Sequence, residues 1–162
     1  MRIFRLFLFI LAIYILQTTI VSRFAIFTVK PDLVLVTITL LAVSEGLEHG
    51  FAAGVLGGLL QDILGGMFFI NTLTKGILGF LAGTFKESIF GSEESVAMTA
   101  VLAATATEFV LQILMLSFFF DKPVATPLPL FAVLVISSLY NCLLAPLMYR
   151  IVKAFGPLLA VE

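Results

Sequence analysis

The sequence predicts an all-α integral membrane protein, a compact bundle of about six transmembrane helices, some of them short or tilted. Three observations carry this. Of 162 residues, 61% are hydrophobic and only 12% are charged, about half the charged share of an ordinary soluble domain. The mean hydropathy is +1.20. The apolar runs are close to membrane length and are separated by short polar or glycine- and proline-containing breaks. So little charge cannot cover a water-soluble globule, and disorder requires low hydrophobicity. Six spans use about 120 residues at roughly 20 per crossing. No extramembrane domain fits beside them, and residues 1–162 read as a single membrane domain.

The first span is expected at about Ile3 to Ser22, with Arg2, Arg5 and Arg23 at its ends. Arg2 and Arg5 ahead of Leu6 to Leu16 imitate a signal peptide. Thr19-Ile20-Val21 is a poor cleavage site, however, so the span reads as retained. Gln17, Thr18 and Thr19 point its second half toward protein rather than lipid. Pro31 suits the first position of the next helix, and Asp32 suits the positive end of its dipole.

Glu45, Glu48 and His49 divide the following apolar stretch into helices at about Asp32–Ser44 and Gly50–Leu64. Each is short for a crossing, so one is tilted, re-entrant or sheltered by neighbours. Gly65-Gly66 breaks the chain before a fourth helix, about Asn71 to Phe85, and Lys86 to Glu94 reads as a polar loop. The fifth helix is expected at Ser95 to Phe119. Asp121 to Pro129 holds three prolines and reads as a loop. The sixth helix, about Leu130 to Val152, is expected to bend near Pro146.

With six spans the termini share one side. That side gathers Arg2, Arg5, Lys86, Arg150 and Lys153, against Arg23, Lys30, Lys75 and Lys122 opposite. The bias is small, but the basic residues flanking both termini favour a cytoplasmic placement of the two ends.

Gly46, Gly50, Gly54 and Gly58 repeat every four residues, which puts Gly50, Gly54 and Gly58 on one face of the third helix. Asp62 ends the same face. The fourth helix answers with Gly76, Gly79 and Gly83. Small-residue faces let helix backbones approach closely in lipid, either within this bundle or against a partner's helix. Asp62 reads as an interfacial or helix-packing carboxylate, or as a partner for Lys75. Glu108 stands out as the mid-span acid, with Thr105 and Gln112 on its face and Asn141 on the sixth helix as a further buried polar candidate.

Catalysis is not expected. There is no G-x-S-x-G, no H-E-x-x-H, no phosphate-cradling glycine loop and no carboxylate cluster for Mg²⁺. The single histidine, His49, rules out a multi-histidine metal site, and the single cysteine, Cys142, an intrachain disulfide. No cofactor is expected, and a net charge of −1 argues against nucleic acid.

The order of motifs resembles the MreD family. Pro31-Asp32 opens an apolar helix, and the run from Gly50 to Gly58 continues through Leu59-Leu60-Gln61-Asp62. Gly65-Gly66 follows, then Gly79-Phe80-Leu81-Ala82-Gly83, and Asn141 precedes Pro146 near a basic C-terminus. The chain departs at Phe68-Phe69, where many members carry Leu-Gly, and at the polar Thr74-Lys75. The resemblance implies a non-catalytic membrane subunit of the bacterial rod (elongation) complex in the inner membrane. Its implied partners are the transmembrane and juxtamembrane region of MreC, RodA with its penicillin-binding transpeptidase, MreB filaments and the lipid bilayer. It also implies a fold like that of the substrate-binding subunits of energy-coupling-factor transporters. A vitamin-binding subunit of such a transporter is the competing functional reading, disfavoured by a glycine-rich third and fourth helix and by the absence of tryptophan.

Overall fold

A computed structural model describes residues 2–25, 29–66, 68–86, 93–120 and 127–159. Six α-helices make up the described residues: α1 (Arg2–Thr19), α2 (Leu33–Glu45), α3 (Leu47–Gly65), α4 (Ile70–Thr84), α5 (Glu93–Phe120) and α6 (Pro127–Leu159). A 3₁₀ turn at Val21–Phe24 follows α1. No sheet is present among them.

α2 is the hub. Leu33 through Ala42 are all buried, and α2 touches each of the other five helices. A helix apolar on every side belongs inside a bundle, and this one has thirteen residues, about 20 Å at 1.5 Å per residue. Its length is therefore matched to packing within the bundle. Ile38 and Leu41 of α2 form the core with Leu6, Ile10, Val101, Met148 and Val152 of the surrounding helices.

The outward surfaces are apolar as well. Leu139, Leu143 and Leu147 line one exposed face of α6, and Leu102, Val110 and Leu114 are exposed on α5. Ser95–Phe119 and Pro129–Phe155 are long and apolar enough to cross a membrane, and Ile3–Thr19 and Leu33–Glu45 are shorter apolar helices. A surface this apolar suits lipid rather than water.

Several boundaries differ from expectation. α1 stops at Thr19 because the chain tightens into the 3₁₀ turn, where the Ser22 hydroxyl donates to the Thr18 carbonyl at 2.5 Å. α6 begins at Pro127, so Pro127 and Pro129 belong to a helix start rather than a loop. Proline is tolerated there because first-turn N–H groups have no helical partner. α6 also continues through Pro146 to Leu159. Most of the expected loop between α4 and α5, and Lys122, lie outside the described residues.

Candidate functional site

The most extensive helix pair is α3 with α4, and its seam is glycine against backbone. A Cβ on Gly50 would strike the Gly79 carbonyl, one on Gly54 the Lys75 carbonyl, and one on Gly58 the Asn71 carbonyl. From the other side, a Cβ on Gly79 would strike Gly50, and one on Gly83 would strike Leu47. Steps of four along α3 thus meet steps of four along α4 running the other way, as two antiparallel helices in backbone contact must. Gly76 faces Val55 and Phe51 with slightly more room.

Asp62 sits at the turn end of this hairpin. Its Oδ1 accepts from the Asn71 backbone N–H (3.1 Å) and side-chain amide (2.9 Å), and its Oδ2 from the Thr72 backbone N–H (2.8 Å) and hydroxyl (2.6 Å). Phe69, the residue before α4, has no side-chain cap to offer. A carboxylate reaching across from α3 supplies one, satisfying orphan donors where the helix dipole favours negative charge.

Lys75 sits one turn further along α4 and is fully buried. Its ammonium pairs with Glu108 of α5 and lies 3.0 Å from Asp32 Oδ2 at the start of α2. Asp32 also accepts from Leu35 N–H (2.9 Å) and from the Gln61 amide (3.1 and 3.3 Å). Its own N–H donates to Asn141 Oδ1 at 2.9 Å, while Asn141 Nδ2 donates to Thr105 Oγ1 at 3.1 Å. Gln112 Nε2 donates to Asn71 Oδ1 at 3.3 Å. One polar network therefore joins α2, α3, α4, α5 and α6. A buried ammonium persists only when paired and hydrogen-bonded, and here two carboxylates share it.

The structure brings Glu108 and Asn141 into this network, places Gln112 with Asn71 in the separate Asp62 cluster, and sets Gly50, Gly54, Gly58, Gly79 and Gly83 in the seam, with Gly76 beside it. Lys75 is not a surface cation facing the loops, and it is not the partner of Asp62. Its position six residues into α4 puts it inside the bundle, where Asp32 and Glu108 neutralise it. Asp32, Gln61, Asn71 and Thr72 carry more of the site than their local context suggests. The available signal was two adjacent polar pairs, Gln61-Asp62 and Asn71-Thr72, flanking one short turn, since a helical hairpin must face them toward each other.

Two cavities flank the network. An apolar groove of about 440 Å³ lies between α4 and α5, lined by Leu78, Leu81 and Phe85 and by Ala100, Ala103 and Thr107. A polar cavity of about 310 Å³ opens beside Asp32 and Gln61, with Thr18, Ser22, Lys30 and Asn71 in its wall. No group of three or more potential metal-binding His, Cys, Asp or Glu side chains occurs among the described residues.

No curated protein and no solved structure matches the chain. The family model described as rod shape-determining protein MreD matches residues 1–155, nearly the whole length, and the chain belongs to the MreD family.

Proposed function

We propose that the chain is a helix-binding scaffold that holds the transmembrane and juxtamembrane region of MreC in the groove between α4 and α5. Family membership makes its role a non-catalytic one in the bacterial rod-shape machinery, and it is membrane-associated. The observation that carries the proposed surface is the division of small residues between two faces. Gly50, Gly54 and Gly58 of α3 and Gly79 and Gly83 of α4 are consumed within the bundle. Ala100, Ala103 and Thr107 instead line a groove of about 440 Å³, and small side chains are what permit close helix approach in lipid. RodA with its transpeptidase and MreB are read as members of the same assembly.

The bundle is read as one multi-pass domain of the inner membrane with both termini cytoplasmic. Arg5, Arg150 and Lys153 beside the two ends support that orientation. A shared plan with the substrate-binding subunits of energy-coupling-factor transporters is inferred from the six α-helices among the described residues.

The test is cross-linking in a Cys142→Ser background. Cysteine placed at Ala103 should cross-link to a cysteine-scanned MreC transmembrane helix. Ala103→Phe should lower co-purification about tenfold, equivalent to about 1.4 kcal/mol, without lowering the chain's own unfolding midpoint. Cross-links confined to the Leu139–Leu143 face of α6 would overturn the assignment.

A further inference from the structure

The buried polar network lies at one level of the molecule, and four of the six helices end there. α1 stops at Thr19, two residues after Gln17, whose Oε1 accepts from the Val34 N–H at 3.0 Å. α2 starts at Leu33 beside Asp32, α3 stops four residues after Gln61, and α4 starts five residues before Lys75. α5 and α6 alone pass through this level. Glu108 stands thirteen residues from Ser95 and eleven from Phe119 within one spanning segment. Asn141 stands twelve from Pro129 and fourteen from Phe155 within the other. Both segments therefore meet the network at their middle.

Burial marks the same division independently. On α5, Ala97, Val101, Ala104 and Glu108 are buried, but no residue from Phe109 to Phe119 is. On α6, Asn141, Ala145, Met148 and Val152 are buried, but no residue from Pro129 to Tyr140 is. Beyond the network the two helices form an arm about 18 Å long, at 1.5 Å per residue, which α1 to α4 do not accompany.

A segment that crosses the hydrocarbon core, about 30 Å thick, places its midpoint near the bilayer centre. Four polar helix ends then lie at that depth, and exposed Arg23 and Lys30 stand close by in sequence. The Tyr140 hydroxyl donates to the Phe24 carbonyl, which holds the Arg23 turn beside the neighbour of Asn141. Irregular backbone and charge at such depth are either buried in protein or line water. Here they are not buried: the Asp32 side chain is 23% exposed, and a Cβ on Gly65 meets nothing within 4 Å. The polar cavity opens at this level, and its volume of about 310 Å³ is well above the roughly 30 Å³ of one water molecule. Tyr14, Gln17 and Thr18 line it beside Asp32 and Lys30. Mixed donors and acceptors with no net charge are the lining that water satisfies from either side.

We propose that the half of the bilayer beyond the network, over α1 to α4 and beside the α5–α6 arm, holds a water-filled recess open to the side opposite the chain ends. Water then reaches the middle of the membrane and stands one side chain, Asp32, away from Lys75. Solvent at the floor of the recess is what lets the bundle carry three ionisable groups at this depth. The recess rests on the multi-pass reading of the bundle. It does not rest on the groove assigned to MreC, whose α5 residues, Val96 to Thr107, all precede Glu108.

The test is the reactivity of single cysteines in a Cys142→Ser background, in sealed membrane vesicles of both orientations. The probe is a permanently charged, membrane-impermeant methanethiosulfonate. Thr18→Cys and Gly65→Cys report the recess; both positions are exposed cavity-lining sites. Leu139→Cys and Leu143→Cys flank Asn141 at the same depth on the outward face of α6. Glu48→Cys, exposed in the first turn of α3, marks the opposite end of the bundle. A thiol reacts as its thiolate, which lipid suppresses, so the two recess cysteines should react at least about thirtyfold faster than the two on α6. They should do so from the vesicle face opposite the one that modifies Glu48→Cys. Recess cysteines as slow as those on α6, or reactive from the Glu48 face, overturn the proposal. Exchange of the two faces, with Glu48→Cys reacting from outside and the recess cysteines from inside, overturns the cytoplasmic placement of the termini and supports the recess.

Discussion

Lys75 of α4 reaches across the bundle to Asp32 at the start of α2, Nζ to Oδ2 at 3.0 Å, and Glu108 of α5 pairs with the same ammonium. Three helices are thus tied at one buried point. Removing one member of such a group leaves uncompensated charge, and the cost is about 3–5 kcal/mol. Lys75→Met should therefore be strongly destabilising, because it strands two carboxylates. Lys75→Met combined with Glu108→Gln should recover a large part of that loss, since only Asp32, which keeps bonds from Leu35 and Gln61, stays charged. Denaturant unfolding of the single and double variants in detergent checks this, and strictly additive losses would contradict the shared-ammonium arrangement.

The glycines of α3 divide into two energetic classes. Gly54 and Gly58 abut carbonyls of α4, whereas a Cβ on Gly65 meets nothing within 4 Å. Gly54→Ala and Gly58→Ala should each lower stability by more than about 2 kcal/mol, because backbone cannot rearrange as a side-chain tip can. Gly65→Ala should be neutral or stabilising by up to about 1 kcal/mol through helix propensity. Gly66→Ala should cost about 1 kcal/mol, since Gly66 caps α3 at φ +69°. Unfolding midpoints of the four variants give the order directly.

The order of the helices was legible because much of it is written in punctuation, Pro31-Asp32, the polar Glu45–His49 stretch and Gly65-Gly66, whereas Pro127 and Pro129, which read as a loop, lie in the first turn of α6. The four-residue glycine period also states which face of α3 can approach another backbone. It cannot state whose backbone, because a partner's helix and α4 satisfy the same packing rule. Lys75 was harder still. Six residues from a helix start, a lysine reads as one that snorkels to the membrane surface. Its burial follows from Asp32 and Glu108, which are distant in sequence and arrive only when α2 and α5 pack together. Glu108 was conspicuous as an acid in an apolar helix, but its partner was not.

Asp62 caps a helix that does not contain it. Four donors converge on its two oxygens, two of them the backbone N–H groups of Asn71 and Thr72. Asp62→Ala should cost about 3 kcal/mol or more, above an ordinary cap substitution, because the bonds are charge-assisted and the site is buried. Asp62→Asn keeps one acceptor oxygen and should lose about half as much. Hydrogen exchange at the Asn71 and Thr72 amides distinguishes this role from simple packing. Both amides should exchange faster in Asp62→Ala, with the α5 amides little changed.

Phe69 carries the one positive φ among the described non-glycine residues, 49° with ψ 12°, at the entry to α4. An L side chain held in that region costs about 1–2 kcal/mol, and glycine escapes most of it. This is also the position where the MreD resemblance leads one to expect glycine, so the strain and the departure from the family pattern coincide. The Phe69 ring is itself half exposed and its recorded ring partner is the neighbouring Phe68, so little core packing is lost on removing it. Phe69→Ala removes the ring but keeps the Cβ, whereas Phe69→Gly removes both. The glycine variant should therefore unfold about 1 kcal/mol later than the alanine variant, reversing the usual order at a helix end. Phe69→Asn should fall between them, since asparagine tolerates the left-handed region better than alanine. Chemical denaturation of the three variants measures the order. Alanine equal to or better than glycine would mean that the backbone at this turn relaxes out of the left-handed region once the ring is gone.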